Sequence, residues 1–434
     1  MTEINMKIKS AIFLTEIKEF FLNKRNYYIY FGSNILYNLV PILLLPVISR
    51  IYDPEVISNY SLIIGASIIF SNFSSLALEN TIYIEKKYEN QQYTLLIPIF
   101  ISFLLNLIIY IFLFIYTKSN FSHSDQNFIL FIPLISWIYN IYRTFKNFVI
   151  RYKKINIITY CKLIFSTLLA SLSLLLGIYG YGTSGLIYSL IITNTVVTIY
   201  LISQVNKYID LKINLLKFFF ITKRFLKKYI SYIFWTNPSN IMSTSNNFIT
   251  IFLIGKFYGL YILGQYVFAT KVMEFPLSIL SSTIQDIFIK NSTNEIENNG
   301  NAKITFIRFL LLNLFIATFF LFPFYLIFPK FIPIVFGAKW IDSVILVKST
   351  IILVYFRFIS SPLSMIWIIR KKEKYNFYWQ MINLLLGVTS ICLVQFMNKS
   401  ISLSNLLIIH SLVVSFWYIV AILGSYFFSK IQKT

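Results

Sequence analysis

Long apolar runs alternate with short polar or charged segments along nearly the whole chain. A helix needs about 20 apolar residues to cross the hydrocarbon core of a bilayer. Runs of at least that length without Asp, Glu, Lys or Arg occupy residues 27–49, 94–117, 230–255, 309–329, 375–398 and 400–429. A further uncharged run, residues 163–206, is too long for one span, and the glycine-rich segment GIYGYGTSG divides it into two.

Adding the spans that carry one or a few charges, the pattern predicts an all-α membrane protein with twelve transmembrane helices. We number these helices as spans one to twelve. They are predicted near residues 30–49, 60–81, 94–117, 127–148, 156–177, 184–204, 230–254, 263–288, 306–328, 344–369, 376–397 and 402–428.

Composition and charge agree with a membrane protein. Hydrophobic residues make up 57% of the chain and charged residues 12%, against about 25% charged residues in soluble proteins. The net charge of +22 is unevenly placed, because most of the 38 Lys and Arg fall in the segments predicted to lie inside. The predicted outside loops carry only Arg50, Lys118, Lys256, Lys330, Lys339 and Lys399. This asymmetry predicts that both termini are cytoplasmic and argues against nucleic-acid binding.

One pattern beside the membrane occurs twice. The stretch SRIYDPEVISNY at residues 49–60 corresponds to GKFYGLYILGQY at residues 255–266 with a constant offset, which pairs Tyr52 with Tyr258 and Tyr60 with Tyr266. The same offset pairs Asn34 with Asn240. Because six is an even number, spans one and seven enter the membrane in the same direction. The repeat therefore predicts two parallel six-helix lobes related by an axis along the membrane normal.

Four segments follow from this division. Residues 1–29 form a cytoplasmic or interfacial N-terminal segment. Residues 30–204 form the N-lobe, with spans one to six, and residues 205–229 form a basic cytoplasmic linker. Residues 230–434 form the C-lobe, with spans seven to twelve and a short cytoplasmic tail.

Spans one and seven are unusually rich in amides. Asn34 and Asn38 lie in span one, and Asn240, Asn246 and Asn247 lie in span seven. An amide that faces lipid leaves its donors and acceptors unsatisfied, so these side chains are expected to face protein or water. Corresponding polar helices in two repeats indicate a substrate path. The alternative is hydrogen bonding between helices that only holds the bundle together.

Three charged residues are predicted deep in the membrane: Lys271 and Glu274 in span eight, and Arg357 in span ten. A charge at a helix centre costs about 2.5 to 3.5 kcal/mol on insertion scales, which indicates function. Lys271 and Glu274 are three residues apart and so share a helix face, where they are able to pair. The planar donors of Arg357 suit a diphosphate or an acid from another helix. A purely structural ion pair is the alternative.

Further charges fall near the predicted inner ends of spans. Singly, the basic ones are expected to extend to the headgroups, and together they would form a cationic vestibule that collects a diphosphate. The acids could pair with this vestibule or titrate during transport. The vestibule residues are Glu79, Arg143, Lys146, Lys162, Asp286 and Arg308.

The short turn after a proline-containing first span, its echo after span seven, the twelve spans and the basic mid-chain loop resemble the Wzx-type flippases of O-antigen and polysaccharide repeat units. These flippases belong to the multidrug/oligosaccharidyl-lipid/polysaccharide exporter superfamily, with lipid II flippases and multidrug efflux proteins. The resemblance covers nearly the whole chain. The turn departs from the family pattern, since this chain has Asp53-Pro54-Glu55-Val56 where many relatives read Gly-Pro-Glu-Gly.

The resemblance implies a MATE-like, V-shaped pair of six-helix bundles in the bacterial inner membrane. It implies transport of an undecaprenyl-diphosphate-linked oligosaccharide, of O-antigen, lipopolysaccharide or capsule type, from the inner to the outer leaflet by alternating access. No catalytic residue, cofactor or metal is expected. The implied partners are membrane lipids, a coupling ion such as a proton or sodium, and a polysaccharide polymerase with its chain-length regulator.

Two other functions stay open. A membrane polysaccharide polymerase or ligase would have similar hydropathy, but usually has a large outer loop with catalytic Arg or His. Here the outer loops are short, and the histidine in them is His123. A multidrug exporter of the same superfamily would favour a more acidic or aromatic cavity over one with several cations.

Overall fold

The computed structural model describes residues 40, 43–83, 91–120, 123–152, 154–207, 215–230, 232–370 and 372–432. Across these ranges the chain is helical, and the helices are joined by short turns. The predicted amides Asn34 and Asn38 and the N-terminal segment, residues 1–29, lie outside the described residues.

Helices α1 to α12 follow the numbering of the predicted spans, and α1 is described over residues 43–51. The N-lobe continues with α2 Pro54–Ser75, α3 Gln91–Asn120, α4 His123–Arg151, α5 Ile155–Ile178 and α6 Gly182–Val205. The linker contains a helix, Leu215–Lys228, called the linker helix below. The C-lobe consists of α7 Asn237–Tyr258, α8 Leu260–Asn299, α9 Lys303–Val335, α10 Ser343–Leu363 with the short continuation Met365–Ile369, α11 Glu373–Met397 and α12 Leu403–Lys430. Short 3-10 helices occupy Leu78–Tyr83 and Ala338–Trp340.

Most of these helices are able to cross a bilayer. Within the described ranges, nine are long and apolar enough, and α8, bent by 45° near Pro276, makes a tenth. Helix α7 has 22 residues but is too polar to pass the same test. The protein is therefore a multi-pass helical membrane protein. The count of twelve spans and the cytoplasmic position of both termini stay predictions.

Helix α2 begins six residues before the predicted start of span two. Asp53 has extended backbone angles of −83° and 159°, and Pro54 follows at the start of the helix. Proline fits the first helical position because its missing N–H would have no partner there and its φ already suits a helix. The turn that the sequence placed at residues 50–59 is thus mostly helix.

Helices α8 and α9 also exceed their predicted spans. Helix α8 continues as a polar extension to Asn299 and ends at Gly300, whose φ is 73°. A glycine adopts this left-handed conformation without the clash that a Cβ would cause. Helix α9 continues through Pro329 and Pro333 to Val335. Hydropathy predicts where a helix leaves the apolar layer, and does not predict where it ends.

The packing of the helices repeats between the lobes. In the N-lobe, α4 packs on α2, α3 and α6, and in the C-lobe, α10 packs on α8, α9 and α12. The tyrosines paired in sequence also have matching roles. Tyr52 donates a hydrogen bond of 2.7 Å to the Ser173 carbonyl of its lobe, and Tyr258 donates one of 3.0 Å to the Ile401 carbonyl of its own. Burial raises the pKa of the Tyr52 hydroxyl to about 12, because the charged phenolate would lose its hydration there.

The two lobes meet where α2 of the N-lobe packs on α7 and α8 of the C-lobe. At the predicted outer end, Trp340 donates a 2.8 Å hydrogen bond to the Ser49 carbonyl, and Lys339 Nζ lies 3.0 Å from Asp53 Oδ1. We call this region the outer contact. It comprises Ser49, Arg50, Asp53 and Pro54 of the N-lobe with Gly264, Ile334, Phe336, Lys339 and Trp340 of the C-lobe.

Candidate functional site

A cavity of about 430 Å³ lies between α2 on the N-lobe side and α7, α8, α10 and α12 of the C-lobe. Ligand-binding sites in proteins generally have volumes of about 300–1,000 Å³. The polar and charged residues of its wall are Ser61, Thr244, Asn246, Asn247, Thr250, Tyr266, Thr270, Lys271, Glu274, Thr350, Arg357, His410 and Tyr418.

Small residues allow the helices around the cavity to come close together. Gly65 of α2 faces the ring of Phe248 on α7, and a Cβ at Gly65 would come within 2.5 Å of that ring. Gly387 of α11 faces the Asn246 side-chain oxygen, which a Cβ there would approach to 2.7 Å. Asn246 therefore fits between α7 and α11 while it lines the cavity. The polar composition of α7 follows from this position, because the helix faces the cavity.

The ion pair inside the cavity joins two helices. Glu274 of α8 forms a salt bridge with Arg357 of α10. Arg357 also donates a hydrogen bond of 3.2 Å to Asn247 Oδ1 of α7. The pair that spacing allowed between Lys271 and Glu274 is not formed. The sequence predicted that Arg357 could pair with an acid from another helix, and that acid is Glu274.

Lys271 lies at the junction of the lobes. Its Nζ is 5.6 Å from the centre of the Tyr60 ring on α2, within the range of a cation–π contact. Within the described residues it takes part in no salt bridge. The structure thus places in the cavity one cation paired with an acid and another that contacts an aromatic ring of the opposite lobe.

A buried histidine completes the C-lobe side of the wall. His410 of α12 is 3% exposed, and its Nδ1 lies 2.9 Å from the Ser390 hydroxyl of α11. This hydrogen bond fixes the orientation of the ring. Within the described ranges, no three His, Cys, Asp or Glu side chains come together as a metal site.

The predicted amides are divided by the fold. Asn246 and Asn247 line the cavity, whereas Asn240, one to two turns earlier in α7, is absent from its wall. The Asn240 carbonyl instead accepts a 3.0 Å hydrogen bond from the Thr244 hydroxyl.

A polar network lies in the N-lobe beside the cavity, which we call the inner network. Arg143 Nη1 is 3.6 Å from Glu79 Oε1. The same guanidinium donates to Asn72 Oδ1 at 2.6 Å, to Asn140 Oδ1 at 2.6 Å and to Ser71 Oγ at 2.7 Å. These bonds hold Arg143 inside the lobe, so it does not extend to the headgroups as a single basic residue would.

The inner network reaches the cavity through one hydrogen bond between the lobes. Asn72, which accepts from Arg143, donates a 3.2 Å hydrogen bond to the Thr244 hydroxyl, and Thr244 lines the cavity. Polar groups therefore connect Arg143 with the cavity wall.

The other predicted vestibule residues lie in two places. Lys146 and Lys162 interact electrostatically with each other, and Lys162 also interacts with Asp286 of α8. Lys162 belongs to α5 of the N-lobe and Asp286 to α8 of the C-lobe, so this interaction acts between the lobes. Arg308 is exposed on α9.

Several residues of the cavity wall were not predicted as site residues, among them Tyr266, Tyr418 and His410. Tyr60 and Tyr266 had a signal in the sequence, because they are a matched pair of the repeat. His410 had none, since its partner Ser390 lies on another helix. A contact between helices distant in sequence is decided by packing.

Half of the chain matches a known protein family. The model of a family of polysaccharide biosynthesis proteins matches residues 126–345, which is half of the 434-residue chain. The chain belongs to this family. No curated protein gives a significant match to the chain.

Solved structures show that this polysaccharide biosynthesis protein has the fold of the MOP superfamily. The lipid II flippase MurJ in an inward closed conformation matches with a TM-score of 0.69 and 16% identity, over 93% of this chain and 86% of that one. A MOP superfamily transporter from Pyrococcus furiosus matches with a TM-score of 0.63 and 13% identity, over 94% of each chain. An outward-facing multidrug resistance MATE transporter matches with a TM-score of 0.62 and 12% identity, over 94% and 96%. The predicted MATE-like helical fold is confirmed.

Proposed function

We propose that the protein flips an undecaprenyl-diphosphate-linked oligosaccharide repeat unit from the inner to the outer leaflet by alternating access. Its family takes part in polysaccharide biosynthesis, and a similar structure is that of a lipid II flippase. In this proposal the diphosphate and the first sugars occupy the cavity, and the polyprenyl tail stays in lipid.

The observation that carries the proposal is the position of Lys271. An uncompensated charge in the apolar layer costs about 2.5 to 3.5 kcal/mol on insertion scales and is retained for function. Lys271 faces the cavity, contacts Tyr60 and has no carboxylate partner among the described residues. A diphosphate supplies the missing negative charge. The planar donors of Arg357 on the same wall suit a second phosphate oxygen.

The charge of the cavity argues against the export of cationic drugs. Glu274 is the acid among the residues of the wall, and Arg357 neutralises it. Lys271 then leaves the wall with a positive net charge, which repels cations and attracts an anionic headgroup.

The inner network offers a route into the cavity. Arg143 lies next to Asn72, and Asn72 bonds to Thr244 of the cavity wall. Lys146 and Lys162 add positive charge on the same side. A diphosphate headgroup arriving from the inner leaflet would pass from these cations to Lys271, while the amides Asn246 and Asn247 contact sugars.

The test replaces Lys271 by methionine, which keeps the length of the side chain and removes its charge. A hydrogen bond to a charged group contributes about 1.5–3 kcal/mol, so we expect Lys271→Met to lower the flipping rate about tenfold or more. In cells, surface polysaccharide should be lost and lipid-linked repeat units should accumulate on the inner leaflet.

The matched control is Lys348→Met, which removes a lysine of α10 that lies 5.6 Å from the Tyr325 ring, outside the cavity wall. At equal membrane abundance this variant should flip normally. Normal flipping by Lys271→Met, or equal loss in both variants, would contradict the assignment of Lys271. Accumulation on the outer leaflet would instead indicate a polymerase defect.

A further inference from the structure

The linker helix, Leu215–Lys228, has no part in the proposed transport path. One of its faces packs on the N-lobe: Phe218 and Phe225 are 5% and 6% exposed and contact a cluster that includes Leu78, Tyr93 and Ile97. The linker between the lobes is therefore anchored to one of them, beside the inner ends of α2 and α3.

The opposite face combines aromatic rings with positive charge. Phe220 is 67% exposed. Phe219 is 62% exposed and lies at the edge of this face, since its ring centre is 6.3 Å from that of Phe100 on α3. Lys223, Arg224 and Lys227 are exposed as well, and with 3.6 residues per turn they lie on the side of Phe220. The guanidinium carbon of Arg224 is 5.1 Å from the centre of the Phe220 ring. The helix contains no Asp or Glu that would neutralise this face.

The contacts of the buried face place the helix beside the first turns of α3. Phe218 lies 6.4 Å from Tyr93 and 5.4 Å from Phe100, measured between ring centres. The apolar span of α3 starts at Gln92, so these contacts fall within its first turns, about 12 Å along the helix axis. If the apolar layer begins with the apolar span of α3, the exposed face lies at its boundary with the headgroups.

We propose that the exposed face of the linker helix binds anionic phospholipid headgroups of the leaflet at the inner ends of the spans. Helices with this mixture of basic and aromatic residues lie in the plane of the interface, with their apolar side chains at the acyl boundary. Basic side chains near an anionic surface gain electrostatic free energy, and exposed phenylalanines gain by leaving water. An acidic protein partner would neutralise the basic side chains of this face. It would not explain why the rings of Phe219 and Phe220 are exposed beside the apolar span of α3.

The consequence is an anchor at the connection of the two lobes. The linker helix leads from α6 into α7, so a bound leaflet would hold this connection at a fixed depth while the lobes move. This inference does not depend on the nature of the transported substrate.

Native mass spectrometry of the full-length protein in detergent tests the proposal, with phosphatidylglycerol as the anionic probe and phosphatidylcholine as the neutral one. We expect the triple variant Lys223→Gln, Arg224→Gln, Lys227→Gln to raise the Kd for phosphatidylglycerol about fivefold or more. Binding of phosphatidylcholine should not change. The matched control is Lys118→Gln, Lys256→Gln, Lys330→Gln, which removes three exposed basic residues at the predicted outer ends of the spans. If the linker variant keeps the affinity of the unmodified protein, or the control loses as much, the proposal is overturned.

A second measurement locates the aromatic side chains. A nitroxide is attached at Phe220→Cys, in a protein with Cys161→Ser and Cys392→Ser, and the protein is reconstituted into phosphatidylcholine vesicles with and without phosphatidylglycerol. We expect the nitroxide to be accessible to oxygen from the membrane and shielded from a water-soluble nickel reagent, more strongly with phosphatidylglycerol. A label equally accessible to the nickel reagent in both vesicles would show that the face is not bound to lipid, and would leave it to a soluble acidic partner.

Discussion

At the scale of single residues, the two cations of the cavity differ in their partners. Arg357 is compensated by Glu274 and held by Asn247, whereas Lys271 points to Tyr60 of the other lobe. Glu274 contacts α10, whereas Lys271, three residues earlier on α8, contacts α2. The Arg357 pair lies within the C-lobe, so it would persist if the lobes separate in the proposed alternating access. The Lys271 contact crosses between the lobes and would then change.

The pair of Glu274 and Arg357 makes a prediction about stability. Arg357→Met leaves Glu274 without its partner, which should lower the free energy of unfolding by about 1 to 2 kcal/mol in a cavity open to water. Adding Glu274→Gln removes the stranded charge, so the double variant should recover most of the loss. Thermal unfolding in detergent measures both effects.

Transport by the same variants separates structure from substrate binding. If Arg357 contacts the diphosphate, the double variant should be stable and still deficient in flipping. Stability and flipping that recover together would show that the pair is only structural. Lys348→Met again serves as the control, because it removes a cation of α10 outside the cavity wall.

At the scale of helices, the close approach of α2 and α8 depends on one glycine. A Cβ at Gly264 would overlap the Pro54 carbonyl, which belongs to the backbone and is unable to rotate away. The same contact places the start of α2 against α8 and so positions Tyr60 near Lys271. Helix α2 is thus the element through which the N-lobe contributes to the cavity.

We expect Gly264→Ala to lower the free energy of unfolding by about 1 to 3 kcal/mol, the cost of adding a methyl group to a packed contact. Thermal unfolding measures the change. Gly424→Ala is the control, since its Cβ would lie 3.4 Å from the Trp367 ring in ordinary contact. This alanine also favours the helix, so the control should be neutral or slightly stabilising. Equal effects of the two substitutions would contradict the importance of the contact with Pro54.

At the scale of the whole molecule, the lobes are joined at the predicted outer end. The outer contact combines the ion pair of Lys339 with Asp53 and the buried hydrogen bond of Trp340 to Ser49. Trp340 is fully buried and stacks on Phe268, with 4.2 Å between ring centres. These contacts join the lobes at that end, and in the proposed alternating access they would have to break before the cavity opens outward.

Crosslinking tests the movement of the lobes. Asp53→Cys and Lys339→Cys, joined by a short bifunctional thiol reagent in a background with Cys161→Ser and Cys392→Ser, should abolish flipping. The control pair is Tyr261→Cys and Asp342→Cys, which replaces a 3.4 Å contact within the C-lobe at the same end. Because this crosslink lies within one lobe, it does not hold the two lobes together, and flipping should continue. Flipping that continues with the lobes crosslinked would show that transport does not require the outer contact to open.

The sequence determined the class, the approximate positions of most spans and the repeat of this protein. These depend on local quantities, namely the length of apolar runs and a constant spacing of matched residues, and so they are readable without a fold. The same quantities indicated that Lys271, Glu274 and Arg357 lie in the membrane, because a charge in an apolar run is conspicuous wherever its neighbours are.

The tertiary structure alone decided which of these residues meet. Glu274 pairs with Arg357, His410 bonds to Ser390 and Asn72 reaches Thr244 across the lobes. Each of these partners lies on a different helix, and helices are brought together by the shapes of whole faces and by small residues such as Gly65 and Gly264. The hydropathy of a segment carries no information about the rotation of its helix relative to a neighbour, and this rotation decides which side chains enter the cavity.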